Sequence, residues 1–168
     1  LVANVNRSIR NRRGNGDTAP ILFFVDEMGI LMRDPVIAAY VSSETKTARA
    51  RMVGMMIADQ DLHSLLGPKA ENGLHHGIPI LANAANTLIF HQKDSERSRV
   101  REHFPGLPEP VINSLPALPR GTCIARLPGD LLTVNVLPSK LDKVLLSSRL
   151  QDRQLAKDTI AEMSAEII

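Results

Sequence analysis

Ile21-Leu22-Phe23-Phe24-Val25-Asp26-Glu27 is a continuous apolar run that ends abruptly in two adjacent carboxylates. A strand with one solvated face would alternate in polarity. This unbroken run, preceded by Pro20 and followed by a helix start near Asp34-Pro35, reads instead as a buried parallel strand. Open α/β sheets bind their ligands beyond the carboxyl ends of such strands, and Asp26 and Glu27 fall there. Two acids at that point suit a divalent metal and a water to be activated. The plainer alternative is a buried strand followed by a solvated acidic turn.

Outward from this run, the chain alternates helical and extended patterns. Residues 1–12 predict a helix with Leu1, Val2, Val5 and Ile9 on its apolar face, and residues 12–18 a Gly/Asn/Asp loop. A helix is expected from Pro35, a favoured first helical residue, to about Arg49. Met52–Ala58 then reads as a second strand, apolar on both faces and therefore central, with Met52, Met55 and Met56 as core filler. A short helix around Ile80–Ala85, a strand over Thr87–His91 and a helix over Asp94–His103 capped by Asp94 or Ser95 follow. Beyond the rigid loop Pro105–Pro110 come a short helix over Glu109–Leu115 and a hairpin. Its strands are Thr122–Arg126 and Leu131–Val136, joined by Pro128-Gly129-Asp130. Helices are expected over residues 139–147 and 149–168, the second with Leu150, Leu155, Ile160 and Met163 at helical spacing. This order argues for one α/β sheet with an antiparallel edge.

Length and composition fit that architecture. A chain of 168 residues suits a single domain with a proper core. Its 20 lysines and arginines against 18 acids leave no overall field that points to nucleic acid. The bases are nevertheless clustered, at Arg7, Arg10, Arg12 and Arg13 and again at Lys46, Arg49 and Arg51, as on a phosphate or partner surface or simply a solvated one. A lone cysteine, Cys123, excludes an intrachain disulfide and a Cys-based zinc site, and fits a reducing cytosol. No apolar stretch is long enough to span a bilayer, and no signal-peptide pattern opens the chain. The sequence begins within what reads as a helix, without an initiator Met, as an excised piece of a longer protein would.

The chemistry concentrates after the two apolar strands. Asp26-Glu27 have the form of a Walker B motif, in which Asp26 would hold Mg²⁺, often through water, and Glu27 would polarise an attacking water. Gln60 follows the second strand as the acids follow the first. If the strands are neighbours, Gln60 stands beside Glu27, where a neutral amide donates to a phosphate oxygen and accepts from a water without adding charge. A polar strand cap is the plainer reading of the same residue. Elsewhere, His75-His76 lie in a Gly-rich loop without partners at metal spacing, and Ser147-Ser148 lack a His/Asp framework. Arg97, Arg99 and Arg101, with Glu96 and Glu102, read as an ion-paired helix surface.

The ordered set Asp26-Glu27, Asp34-Pro35, Lys46-Thr47-x-Arg49, an apolar strand and Gln60 resembles the VirB-type conjugation ATPases of the TraC/TrbE group. These are motors of type IV secretion related to the FtsK and HerA translocases. The resemblance extends through Asn86–Gln92, the Arg/Glu helix and the closing hairpin, and so covers most of the chain. It implies a RecA-like P-loop NTPase sheet, here partial, with ATP and Mg²⁺ as cofactors. Glu27 would be the catalytic acid, Asp26 the metal-side acid and Gln60 the sensor glutamine. Arg49 matches the arginine of the family's Arg-Lys pair and would be a finger reaching a neighbouring subunit's nucleotide, with Arg51 the second candidate. Both also suit a solvated helix end, where a cation meets the C-terminal dipole favourably. A homo-oligomeric ring, hexameric in the family, is implied, with secretion-channel and coupling components as partners and DNA as a possible one. The expected location is the cytoplasm, peripheral at the inner face of the membrane. The alternatives are a HerA/FtsK-type DNA translocase and a non-catalytic oligomerisation module on the same fold.

The sequence departs from this family in two places: Asp59 stands where it usually has Thr, adding negative charge near the expected phosphate, and Ala50 replaces the paired Lys. No Gly-x-x-x-x-Gly-Lys-[Ser/Thr] occurs in the 168 residues. Without that loop, whose backbone N–H groups and Lys cradle phosphates, ATP affinity is expected to be poor. The chain is accordingly expected to be the C-terminal part of a motor domain, inactive by itself.

Overall fold

A computed structural model describes residues 19–139, together with Arg7, Asn11, Gly16 and Asp142. Strand β1 is Ile21–Val25 and strand β2 is Val53–Ile57. They pair in parallel and in strict register, from Ile21 opposite Val53 to Val25 opposite Ile57. Parallel neighbours require a crossover, and two helices provide it: α1 over Met28–Met32 and α2 over Pro35–Thr47. Asp34 starts α2 by accepting hydrogen bonds from the Val36 and Ile37 N–H groups, at 2.8 and 3.1 Å, while Pro35 takes the first helical position, whose N–H has no use there. The helix ends at Thr47, two residues earlier than expected. The chain then tightens into a 3₁₀ turn over Arg49–Arg51 and swings into β2 through Met52, which has a φ of 52°.

Burial along β1 and β2 alternates, and this corrects the sequence reading. Their inner faces pack against a cluster of Met28, Met32, Ala38, Val41 and Ile80. On the outer face Leu22 is 73% exposed, Phe24 57% and Met56 56%. The strands are therefore covered on one face only by the described residues, although an unbroken apolar run is suited to cover on both. Met52 and Met56 are likewise exposed, and the core methionines are Met28 and Met32, both fully buried.

The remaining strands, β3 over Thr87–Ile89, β4 over Thr122–Leu127 and β5 over Asp130–Asn135, form a separate antiparallel sheet in the order β3-β4-β5. The fold is α/β as expected, but the strands of the described residues divide between two sheets instead of joining one. Leu127 faces Asp130 across a Pro128-Gly129 turn in which Gly129 has a φ of 88°, a conformation open to glycine and strained for other residues. Ile89 and Ile124 from this sheet meet α3 (Leu62–Leu66), α4 (Ile78–Asn83), α5 (Arg97–His103) and α6 (Glu109–Ser114) in the larger core, around Val100, Phe104, Ile112 and Leu115.

Helix α5 is entered through a 3₁₀ turn at Asp94–Glu96 with Lys93 at the N-cap, so neither Asp94 nor Ser95 caps it. Asp94 instead pairs with Arg97, at 2.7 Å. Arg99 pairs with Glu96 at 2.6 Å, and Arg101 forms a two-bond pair with Glu109 at 2.6 and 2.8 Å. The expected ion-paired surface is present, with Glu109 taking the place of Glu102. Among the described residues no helix is long and apolar enough to cross a membrane. The helices expected over residues 1–12, 139–147 and 149–168 lie outside the described residues, apart from single positions, as does Ser147-Ser148.

Candidate functional site

Because β1 and β2 run parallel and in register, their carboxyl ends leave the sheet together. Two further backbone bonds extend the ladder past the last strand pair: Ala58 N–H donates to the Val25 carbonyl at 2.9 Å and Met28 N–H to the Ala58 carbonyl at 3.1 Å. Asp26-Glu27 and Asp59-Gln60 thus emerge side by side. The Gln60 side-chain amide donates to Glu27 Oε1 at 2.8 Å across 33 positions of sequence, as the strand-neighbour argument expected. Both residues are exposed.

Glu27 adopts a left-handed backbone, with φ 52° and ψ 47°. A residue with a Cβ reaches this region at about 1–2 kcal/mol, and such positions concentrate at functional sites. Asp26 contributes by accepting the Glu27 N–H on its Oδ1 at 3.0 Å. Asp26 is exposed, and its hard oxygen donors are of the kind that hold Mg²⁺, which takes one or two carboxylates together with waters and phosphates. Among the described residues no group of three or more His, Cys, Asp or Glu could hold a metal by itself. His75 is occupied elsewhere, its Nδ1 donating to the Gly67 carbonyl at 2.6 Å.

Asp59, expected to add charge near a phosphate, is bonded within the fold through both carboxylate oxygens. Oδ2 accepts the Gly29 N–H, while Oδ1 accepts the Gln60 N–H at 2.7 Å and the Ser64 hydroxyl at 3.0 Å. Gly29 had given no signal in the sequence. A Cβ there would lie 2.5 Å from Ser64 Cβ and 2.6 Å from Asp59 Oδ2, so only glycine lets α1 approach this closely. Asp61 caps α3, accepting from the Ser64 N–H at 2.7 Å. Chiefly that bond holds the Asp61 carboxyl below the usual aspartate range.

Arg49 and Arg51 are not part of this cluster. They precede β2, whereas Gln60 follows it, and the five intervening strand residues at ~3.3 Å each separate the two ends by roughly 15 Å. Arg51 is paired with Glu44, and Arg49 is exposed.

Taken together, a parallel strand pair with a helical crossover, a polar carboxyl edge and an accompanying antiparallel sheet define a partial RecA-like α/β fold. The same fold is found in VirB4 of Thermoanaerobacter pseudethanolicus, to which the chain is structurally similar with a TM-score of 0.63 at 18% sequence identity. That match covers 75% of this chain and 33% of VirB4, so the chain spans about a third of the length of the protein it resembles. The genome packaging NTPase B204 from Sulfolobus turreted icosahedral virus 2, solved in complex with AMP, is more distant, with a TM-score of 0.45, 10% identity and coverage of 70% and 52%. No protein-family model and no curated protein sequence matches the chain.

Proposed function

We propose that this chain is the part of an ATP-hydrolysing motor domain that activates and orients the attacking water. The observation that carries this reading is the Gln60 amide bonded to Glu27 at the carboxyl ends of two parallel strands. Glu27, the exposed carboxylate, would accept the proton of a water aimed at the terminal phosphate. Gln60 would hold that carboxylate in line and offer its amide to water and phosphate oxygens as the nucleotide enters. Asp26 would hold Mg²⁺, which when bound neutralises charge on the phosphate oxygens. Arg49, at the far end of the strand pair, is too remote to serve its own site and suits a role toward a neighbouring subunit's nucleotide, with Arg51 second. The likeness to VirB4 in fold, joined to the ordered motif set, supports a ring-forming motor of a type IV secretion or conjugation system. Such a ring would act with channel components at the inner face of the membrane.

The grip on the nucleotide would come from a phosphate-binding loop elsewhere in a longer protein. Residues 1–168 alone should show no ATP binding in calorimetry, and tight binding there would overturn this division of labour. In the longer protein Glu27→Gln should lower turnover about 10²–10⁴-fold while nucleotide still binds. Full turnover in that variant would remove Glu27 from the mechanism. Stimulation of hydrolysis by DNA would favour a DNA translocase.

A further inference from the structure

Helix α1 follows directly on Glu27, and its first N–H groups can be accounted for one by one. Met28 N–H donates to the Ala58 carbonyl and Ile30 N–H to the Glu27 carbonyl, at 3.1 and 3.0 Å. Gly29 N–H donates to Asp59 Oδ2, thirty residues away. The residue in the N-cap position, Glu27, makes no side-chain cap bond, and its left-handed backbone is not the extended one from which short polar side chains cap a helix. Its carboxylate instead takes the Gln60 amide. The other oxygen of Asp59 accepts the Gln60 N–H and the Ser64 hydroxyl, which fixes the backbone that carries Gln60.

We propose that Asp59 is a positioning residue that holds Glu27 and Gln60 in place relative to each other. One oxygen of its carboxylate binds the first turn of α1, just after Glu27, and the other fastens the backbone of Gln60 beside it. The proposal rests on the reading of Glu27 as the water-activating acid, but its structural half stands apart from that reading. Without Asp59 the Gly29 N–H and the Gln60 N–H both lose their partner, and the clasp that ties the first turn of α1 to the backbone of Gln60 is gone. Glu27, which immediately precedes α1, and Gln60 would then no longer be held at a fixed separation, and their contact would loosen. The close fit of Gly29 against Asp59 and Ser64 gives the clasp little room for substitutes.

The structural half is tested on the chain itself by NMR of the Gln60 side-chain amide. Asp59→Ala should move both Nε2 proton resonances toward those of a free amide, as Glu27→Ala should. Ser64→Ala, which removes one bond only, should move them less. Asp59→Asn keeps an accepting oxygen and the side-chain size, so it should fold even if the alanine variant does not, and should restore part of the contact. Gln60 resonances that stay unchanged in a folded Asp59 variant, while the Gly29 amide resonance moves, would overturn the proposal. In the longer ATP-hydrolysing protein, Asp59→Ala should lower kcat about tenfold with KM within about twofold, because a misplaced group loses rate before binding. Asp59→Asn should recover part of that loss. If Glu27→Gln leaves turnover intact while Asp59→Ala still frees Gln60, the reading of Glu27 fails and the clasp stands. If Glu27→Gln abolishes turnover while Asp59→Ala alters neither kcat nor the Gln60 resonances, the clasp fails and the reading of Glu27 stands.

Discussion

The two sheets solve the burial problem differently. The antiparallel sheet turns Ile89 and Ile124 into the larger core, where four short helices close over them, and it is held by local hairpin geometry. The parallel pair β1/β2 has helices on one face only among the described residues, leaves Leu22, Phe24 and Met56 exposed on the other, and keeps the Gln60–Glu27 contact at one end. The first region carries packing, and the second holds the proposed chemistry on a strand pair that the described residues half cover. Stability and function therefore respond to substitution in different places.

The largest effect should come from the packed region. Ile112→Ala removes a fully buried side chain from the larger core and should cost about 2–5 kcal/mol in denaturant melts. A loss under about 1 kcal/mol would mean that this core is not what holds the chain together. Gly29→Ala comes next, at about 1–3 kcal/mol, because the added methyl overlaps Ser64 and Asp59. Its signature is that the Gln60 amide resonances shift along with the melting point, which Ile112→Ala should not cause.

A smaller effect belongs to the cap of α3. The Asp61 carboxyl is held below the usual aspartate range by the Ser64 N–H, so its contribution is complete above that range and lost as pH falls through the lowered value. Asp61→Ala should cost about 1 kcal/mol at neutral pH and flatten the acid limb of a melting-temperature profile. An unchanged acid limb would remove Asp61 from that account. The smallest change is Leu22→Ser on the open face, expected to stay within about 0.5 kcal/mol. A loss comparable to that of Ile112→Ala would show that something covers this face in solution.

The same contrast explains which parts were legible in the sequence. β1, the Asp34-Pro35 start of α2 and the Pro128-Gly129 hairpin rest on signals within a few residues, and they fall where expected. Glu27 and Gln60 were brought together by one topological assumption, that two apolar runs separated by helix lie parallel, and the register bears it out. The division into two sheets was not legible, because alternation with helices does not say which strand edges pair. The bonding of Asp59 was not legible for a related reason. Its partner Gly29 lies thirty residues away, and only the folded approach of α1 shows that the carboxylate is spent inward.

The backbone of Glu27 carries one more consequence. At φ 52° a glycine would sit without the strain that a glutamate bears, typically on the order of 1 kcal/mol. A screen for thermal tolerance alone should thus tend to discard the residue on which the proposed hydrolysis depends. Directed evolution of this chain for heat resistance would need a turnover assay beside it, since at this position robustness and work select for different amino acids.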